Sequence, residues 1–262
     1  MADLLVYQDV HFSYSDKKVL KHIDLRVKEG RFLVIVGESG SGKSTLLKLT
    51  MGLLDMNTDS VSGSIIFQGR NLLSLKKKEW LNIRGTQIGM IFQNAAQYFD
   101  DYQTIGRQYQ RMLAKHGLAN KDVYTQMCQS LKRVTLQHPE EVLAKYPFEL
   151  SGGMAQRTAI AMALDLHPLL LLADEPTSAL DVTSQKQLLD ELAALKKNTS
   201  LTMVMVTHNM AVAAYLADDI AVMKNGEIIE VNSRDQILND PVNKYTQDLL
   251  QAAKKWGVRQ DD

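Results

Sequence analysis

The sequence predicts an α/β fold organised around a mainly parallel sheet. Three observations predict it. A continuous apolar run at 32–36 and largely apolar runs at 169–173 and 201–206 have the composition of buried strands, a glycine-rich loop follows the first run, and helical spacing dominates residues 72–165 before the strand pattern returns.

The early elements follow from local pattern. Residues 4–10 and 22–27 read as strands, Glu29-Gly30 is a turn, and 31–36 is the first fully apolar strand. The glycine-rich loop then opens a helix at about Lys43, and 64–68 reads as a further strand with a turn at Gly69-Arg70. From 72 to 165 the spacing is mostly helical, clearest at 107–116 and 123–134, so this segment is expected to be a helical insertion. Strands return at 169–173, 201–207, 220–224 and 227–231, the last two joined by the hairpin dipeptide Asn225-Gly226. A single domain over 1–250 is expected, with a polar tail at 251–262 that frays from Lys254.

Composition narrows the classes of function. The 262 residues are 45% apolar, enough for a sizeable core, and 30 basic residues balance 30 acidic ones. No overall field draws the chain to nucleic acid or anionic lipid, and no nucleic-acid partner is expected. The start, MADLLVYQDV, lacks the features of a secretory signal, and no apolar run approaches the roughly 20 residues that span a bilayer. The only cysteine, Cys128, can form no internal disulfide and is expected to be a partly buried packing residue. His11, His22, His116, His138 and His167 are dispersed without ligand spacing, so no structural metal site is expected, and the Lys76–Lys78 run reads as a solvated face.

The chemistry starts at residues 37–45, which read Gly37-Glu38-Ser39-Gly40-Ser41-Gly42-Lys43-Ser44-Thr45 and fit G-x-x-x-x-G-K-[ST] between an apolar strand and a helix. The glycines let the backbone curl so that successive N–H groups face phosphate oxygens, helped by the helix dipole. Lys43 is expected to reach the β- and γ-phosphates of ATP, and Ser44 to offer its hydroxyl to Mg²⁺. A second apolar run ends in Asp174-Glu175. Asp174 is expected to hold Mg²⁺, and Glu175 to orient or deprotonate an attacking water. His208 follows another apolar strand at the equivalent edge, where it could bond the γ-phosphate.

ELSGGMAQR at 149–157 closely resembles the signature of ABC-transporter ATPases, and with the two preceding motifs it identifies the chain as a member of that family. The resemblance implies the P-loop ABC ATPase fold, with an N-terminal antiparallel β subdomain and an inserted helical subdomain. Gln93, in MIFQNA, resembles the Q-loop glutamine that also reaches Mg²⁺; Asp181, in SALD at 178–181, resembles the D-loop; His208 resembles the switch histidine; Tyr14 resembles the aromatic that stacks on adenine. Ser151, Gly152, Gly153 and Met154 would contact the nucleotide of a second ATPase subunit, Met154 standing where the family at large has Gln. GESGSGKST, KYPFELSGGMAQR, ADEPTSALDVT and PVNKYTQDLLQA narrow the resemblance to the importers of oligopeptides, dipeptides and nickel. The longer oligopeptide and dipeptide members carry a cysteine-bearing extension beyond the PVNKYT-like segment that the sequence lacks, which tilts the expectation toward the short nickel or metal-chelate type.

That resemblance implies two transmembrane permease subunits, a second ATPase chain, an extracellular solute-binding protein and a place on the cytoplasmic face of the cell membrane. Two other readings stay open at this point: a soluble ABC ATPase acting on DNA or ribosomes, and a module that binds ATP without hydrolysing it.

Overall fold

A computed structural model describes residues 2–55, 60–178 and 180–255, with residues 254 and 255 described by backbone alone. They form two compact units, Met1–Leu81 with Lys196–Asp262 and Asn82–Leu195. In chain order the elements are β1 (Asp3–Tyr14), β2 (Lys17–Lys28), β3 (Phe32–Val36), α1 (Lys43–Thr50), β4 (Val61–Phe67), β5 (Arg70–Asn71) and α2 (Lys77–Trp80) in the first unit. The second unit holds β6 (Ile88–Ile91), α3 (Ile105–Lys115), α4 (Val123–Arg133), α5 (Pro139–Ala144), α6 (Gly152–Leu164), β7 (Leu170–Asp174) and most of α7 (Val182–Asn198). The chain returns to the first unit with β8 (Thr202–Thr207), α8 (Met210–Leu216), β9 (Asp219–Lys224), β10 (Glu227–Ser233), α9 (Arg234–Asn239) and α10 (Lys244–Lys255).

In the first unit, β3 is buried at every residue and lies between β8 and β9, both parallel to it. This is the environment that a run of five apolar residues requires. β10 returns antiparallel beside β9 through Asn225-Gly226, as the dipeptide predicts. A separate antiparallel sheet of order β2-β1-β4-β5 occupies the N-terminal segment. Its strands outrun the sequence expectation: β1 continues to Tyr14 and β2 starts at Lys17. Polar residues on their solvent face conceal the true ends. Trp80, buried at the end of α2, packs against Gly52, where a Cβ would sit 2.5 Å from the indole.

The second unit departs from the helical expectation in one place. β6, IGMI, pairs in parallel with β7 within the segment read as helical. Four residues including a glycine carry too little periodicity to announce a strand. α3 and α4 coincide with the two stretches of clearest helical spacing, 107–116 and 123–134, and α6 is apolar enough to be covered on most sides. A buried polar knot joins them. The Tyr109 hydroxyl (α3) and the Ser130 hydroxyl (α4) donate to the two oxygens of Asp165 at 2.7 and 2.5 Å, just beyond α6. Burial, and then the Asp165 charge, push the Tyr109 hydroxyl well above the phenol range. Cys128 is a free, buried thiol, as expected.

At the C-terminus α10 continues through Lys255, so residues 251–255 of the expected tail are helical, and 256–262 lie outside the described residues. The expectation of dispersed histidines fails for one pair. His11 and His22 meet across β1 and β2 at 4.1 Å between ring centroids.

Candidate functional site

The phosphate-loop residues occupy the carboxyl edge of the parallel strands in the first unit. Gly37 leaves β3 so close to β9 that a Cβ there would lie 2.1 Å from the Met223 carbonyl oxygen, so a side chain cannot be accommodated. The loop closes on Lys43, the first residue of α1 and only 4% exposed. Its Nζ donates to the carbonyls of Gly37 (2.8 Å) and Glu38 (2.7 Å) and to Ser41 Oγ (3.3 Å). The ammonium is thereby fixed inside the curve of the loop, with Glu38, Ser39 and Gly40 on its exposed rim. Helix α1 begins without a side-chain cap, after Gly42 at φ 106°, and Ser44 and Thr45 are half-buried in its first turn. Such a helix start favours an anion.

The β9–β10 turn supports the loop in a way that the sequence does not reveal. Gly226 N–H donates to the Ser41 carbonyl (3.0 Å), while the Gly226 carbonyl accepts from Lys21 N–H (2.8 Å). A dipeptide legible only as a hairpin thus pins the phosphate loop to β2. His208 lies on the same edge: the parallel register pairs Val36 with Thr207, so Gly37 and His208 leave adjacent strands side by side, and His208 is exposed. Tyr14 ends β1, half exposed and edge-on to Phe12 at 4.8 Å.

In the second unit β7 delivers Asp174, 4% exposed, and then Glu175. Glu175 holds a left-handed backbone, φ 43°, and its carbonyl accepts from both the N–H (3.1 Å) and the hydroxyl (3.0 Å) of Ser178. A non-glycine residue in this region costs about 1–3 kcal/mol and persists where its surroundings hold it, a frequent property of functional turns. Parallel pairing of Ile91 with Ala173 brings the exposed Gln93 to the same edge as Asp174 and Glu175. Asp181 caps α7 by accepting from Ser184 N–H (3.0 Å), and that bond holds its carboxyl below the usual range. Ala179, within the SALD segment, lies outside the described residues. Ser151 caps α6 by accepting from Met154 N–H (3.2 Å), with Ser151 and Gly152 exposed and Gly153 and Met154 in the first turn.

Two residues of α6 carry roles that motif reading misses. Gln156, 1% exposed, accepts from Ala95 N–H (3.3 Å) and donates from Nε2 to the Phe92 carbonyl (3.1 Å), clasping the segment on both sides of Gln93. Arg157 donates to the Thr135 hydroxyl, to Gln187 Oε1 (2.7 Å) and to the Ser184 carbonyl (3.4 Å), fastening α6 to α7. The only sequence signal was their position directly after SGGMA.

Residues 20–178 match the family model described as ABC transporter. The dipeptide transport ATP-binding protein DppD of Lactococcus lactis subsp. cremoris is 39% identical over 94% of this chain and 71% of its own length. The chain belongs to the ABC transporter family. The oligopeptide transport ATP-binding protein OppD of Bacillus subtilis is 38% identical over 94% of the chain and 71% of that protein. The metal-staphylopine import system ATP-binding protein CntD of Staphylococcus aureus is 35% identical, covering 93% of the chain and 90% of that protein.

Among solved structures, the dimeric post-hydrolysis state of the ATP-binding cassette MJ0796 bound to ADP and Pi superposes with a TM-score of 0.78 at 30% identity, over 88% of this chain and 98% of that one. The expected ABC ATPase fold is the observed one, and the chain is an ATP-binding ATPase subunit of the importer branch. Among the described residues no helix is long and apolar enough to cross a membrane.

Proposed function

We propose that this subunit powers an importer of peptides or metal chelates from the cytoplasmic face of the cell membrane, docked on two transmembrane permease subunits and fed by an extracellular solute-binding protein. The relatives' names supply both cargo classes. The observation that carries the reading is the pairing of Val36 with Thr207, which sets His208 beside a phosphate loop already closed on Lys43.

In this reading Gly37–Thr45 grips the phosphates of ATP, Tyr14 stacks on adenine, and His208 bonds the γ-phosphate. The Ser44 hydroxyl, the Gln93 amide oxygen and the Asp174 carboxylate are all hard oxygen donors, the set that suits Mg²⁺. Bound there, Mg²⁺ would neutralise charge on the phosphates. Glu175, held by its strained turn, takes the proton of the attacking water. Ser151 to Met154 and Asp181 face the nucleotide of a second ATPase subunit, a related chain or another copy. The dimeric cassette structures support that pairing. The Gln93 segment and the helical part of the second unit meet the permease and pass on the state of the nucleotide.

The test is Glu175→Gln. ATP binding should be retained while phosphate release slows by about 100-fold or more. Unchanged hydrolysis would remove Glu175 from the role of base.

A further inference from the structure

Well away from the phosphate loop in sequence, the N-terminal sheet gathers three metal-ligating side chains. β1 and β2 carry bulges at neighbouring positions in opposite strands. Between the Tyr7–Leu25 and Val10–Ile23 pairs the extra residue belongs to β1; between Val10–Ile23 and Phe12–Leu20 it belongs to β2. Asp9 and His22 take up these irregularities, each with φ 47°, a conformation that Asp and His adopt more readily than most residues. Gly63 of β4 makes room, since a Cβ there would fall 2.3 Å from the Asp9 carbonyl oxygen.

The bulges turn side chains from separate strands onto one point. Asp9 Oδ1 lies 2.7 Å from His22 Nδ1 and 3.0 Å from His11 Nε2, and the three ligand atoms all fall within 4.8 Å of one another. Asp24 anchors the arrangement by accepting the Asp9 N–H at 3.0 Å.

We propose that Asp9, His11 and His22 form a surface site for a divalent transition cation of the zinc, nickel or copper class. Two imidazole nitrogens and one carboxylate oxygen are the donors that these borderline cations select, whereas Mg²⁺ prefers oxygen alone. Bonds of about 2.1 Å put neighbouring ligand atoms about 3.0 Å apart in octahedral geometry and about 3.4 Å apart in tetrahedral geometry, and the observed 2.7 and 3.0 Å separations open to these by small rotations of the exposed side chains. The Asp9 and His22 side chains are 66% and 75% exposed, leaving the outer coordination positions to water.

Binding exchanges the Asp9–imidazole hydrogen bonds for metal bonds and releases protons and water from the ion. His11 Nδ1 accepts the His22 N–H at 3.4 Å, so its Nε2 carries the proton in the free protein. On coordination the Nε2 proton leaves, Nδ1 takes one up, and that long bond is given up; any proton on His22 Nδ1 goes to solvent. The site stands apart from the ATPase reading and does not depend on it.

The test titrates the full chain, without nucleotide and with Mg²⁺ in excess, with zinc or nickel chloride in a calorimeter. One ion should bind per chain, and Asp9→Ala and His22→Ala should each weaken binding by about tenfold or more. No binding, or equal affinity in the wild type and both variants, overturns the proposal. Because a substitution at a bulge can disturb the sheet, imidazole NMR of the unmodified chain provides a second readout. The ring signals of His11 and His22 should shift together with zinc, and a shift confined to other histidines overturns the site.

Discussion

Gln156→Ala opens the clasp between α6 and the Gln93 segment, and its cost can be worked from the contacts. The variant leaves Ala95 N–H, in a residue only 3% exposed, without its acceptor, for about 1–3 kcal/mol. The Phe92 carbonyl is half-buried and partly recovers water, adding about 0.5–1 kcal/mol. With the lost side-chain packing, the expected destabilisation is about 2–5 kcal/mol. Gln156→Glu separates the causes. It keeps the shape and the acceptor, loses the donor to Phe92, and buries a carboxyl whose pKa burial would raise. Its penalty is therefore greatest above that raised pKa and shrinks as falling pH protonates the carboxyl, which can then donate. Urea unfolding of both variants across pH measures this, with steady-state ATP hydrolysis as the functional readout, expected to fall as the Gln93 segment loosens. Unfolding free energies within about 0.5 kcal/mol of wild type, with unchanged hydrolysis, would refute the clasp.

Gly226→Ala forces a side chain into φ 86° and against the Val19 carbonyl at 2.3 Å. It should destabilise the chain by about 1–3 kcal/mol and weaken ATP binding through Ser41, as titration calorimetry would show. Asp165→Ala strands two buried hydroxyls and should cost about 2–5 kcal/mol in chemical denaturation, whereas Tyr109→Phe removes one bond to the carboxylate and should cost about 1.5–3 kcal/mol. Burial raises the Glu191 carboxyl, with Thr135 and Arg157 only partly offsetting it. A raised acid destabilises the fold as pH climbs through the interval from its unfolded to its folded pKa. Glu191→Gln should therefore gain on wild type over that interval and lose the advantage in acid, a trend that urea midpoints would show.

What the sequence made legible was contiguous. Residues 37–45 announce their own geometry because strand, loop and helix follow one another, and Asp174-Glu175 is readable because an apolar strand has to end somewhere chemical. The support around them is assembled from distant segments. Gly226 reaches Ser41 from the far end of the chain, and Gln156 holds Phe92 and Ala95 across more than sixty residues of helix and loop. Neither leaves a periodic trace. The bulges at Asp9 and His22 go further and mislead, since a period-two reading assumes an unbroken pleat and cannot bring His22 to His11.

The position of β3 also governs when the protein can be assembled. Both of its hydrogen-bonded neighbours, β8 and β9, come from beyond residue 200, while β3 itself ends at Val36. On the ribosome, five apolar residues and the loop that follows them must wait for most of the chain to be made before either edge is covered. The loop at 37–45 is thus synthesised long before both edges of β3 are covered. A chain interrupted before β8 would carry an uncovered apolar strand, a template for aggregation in place of a partly working subunit.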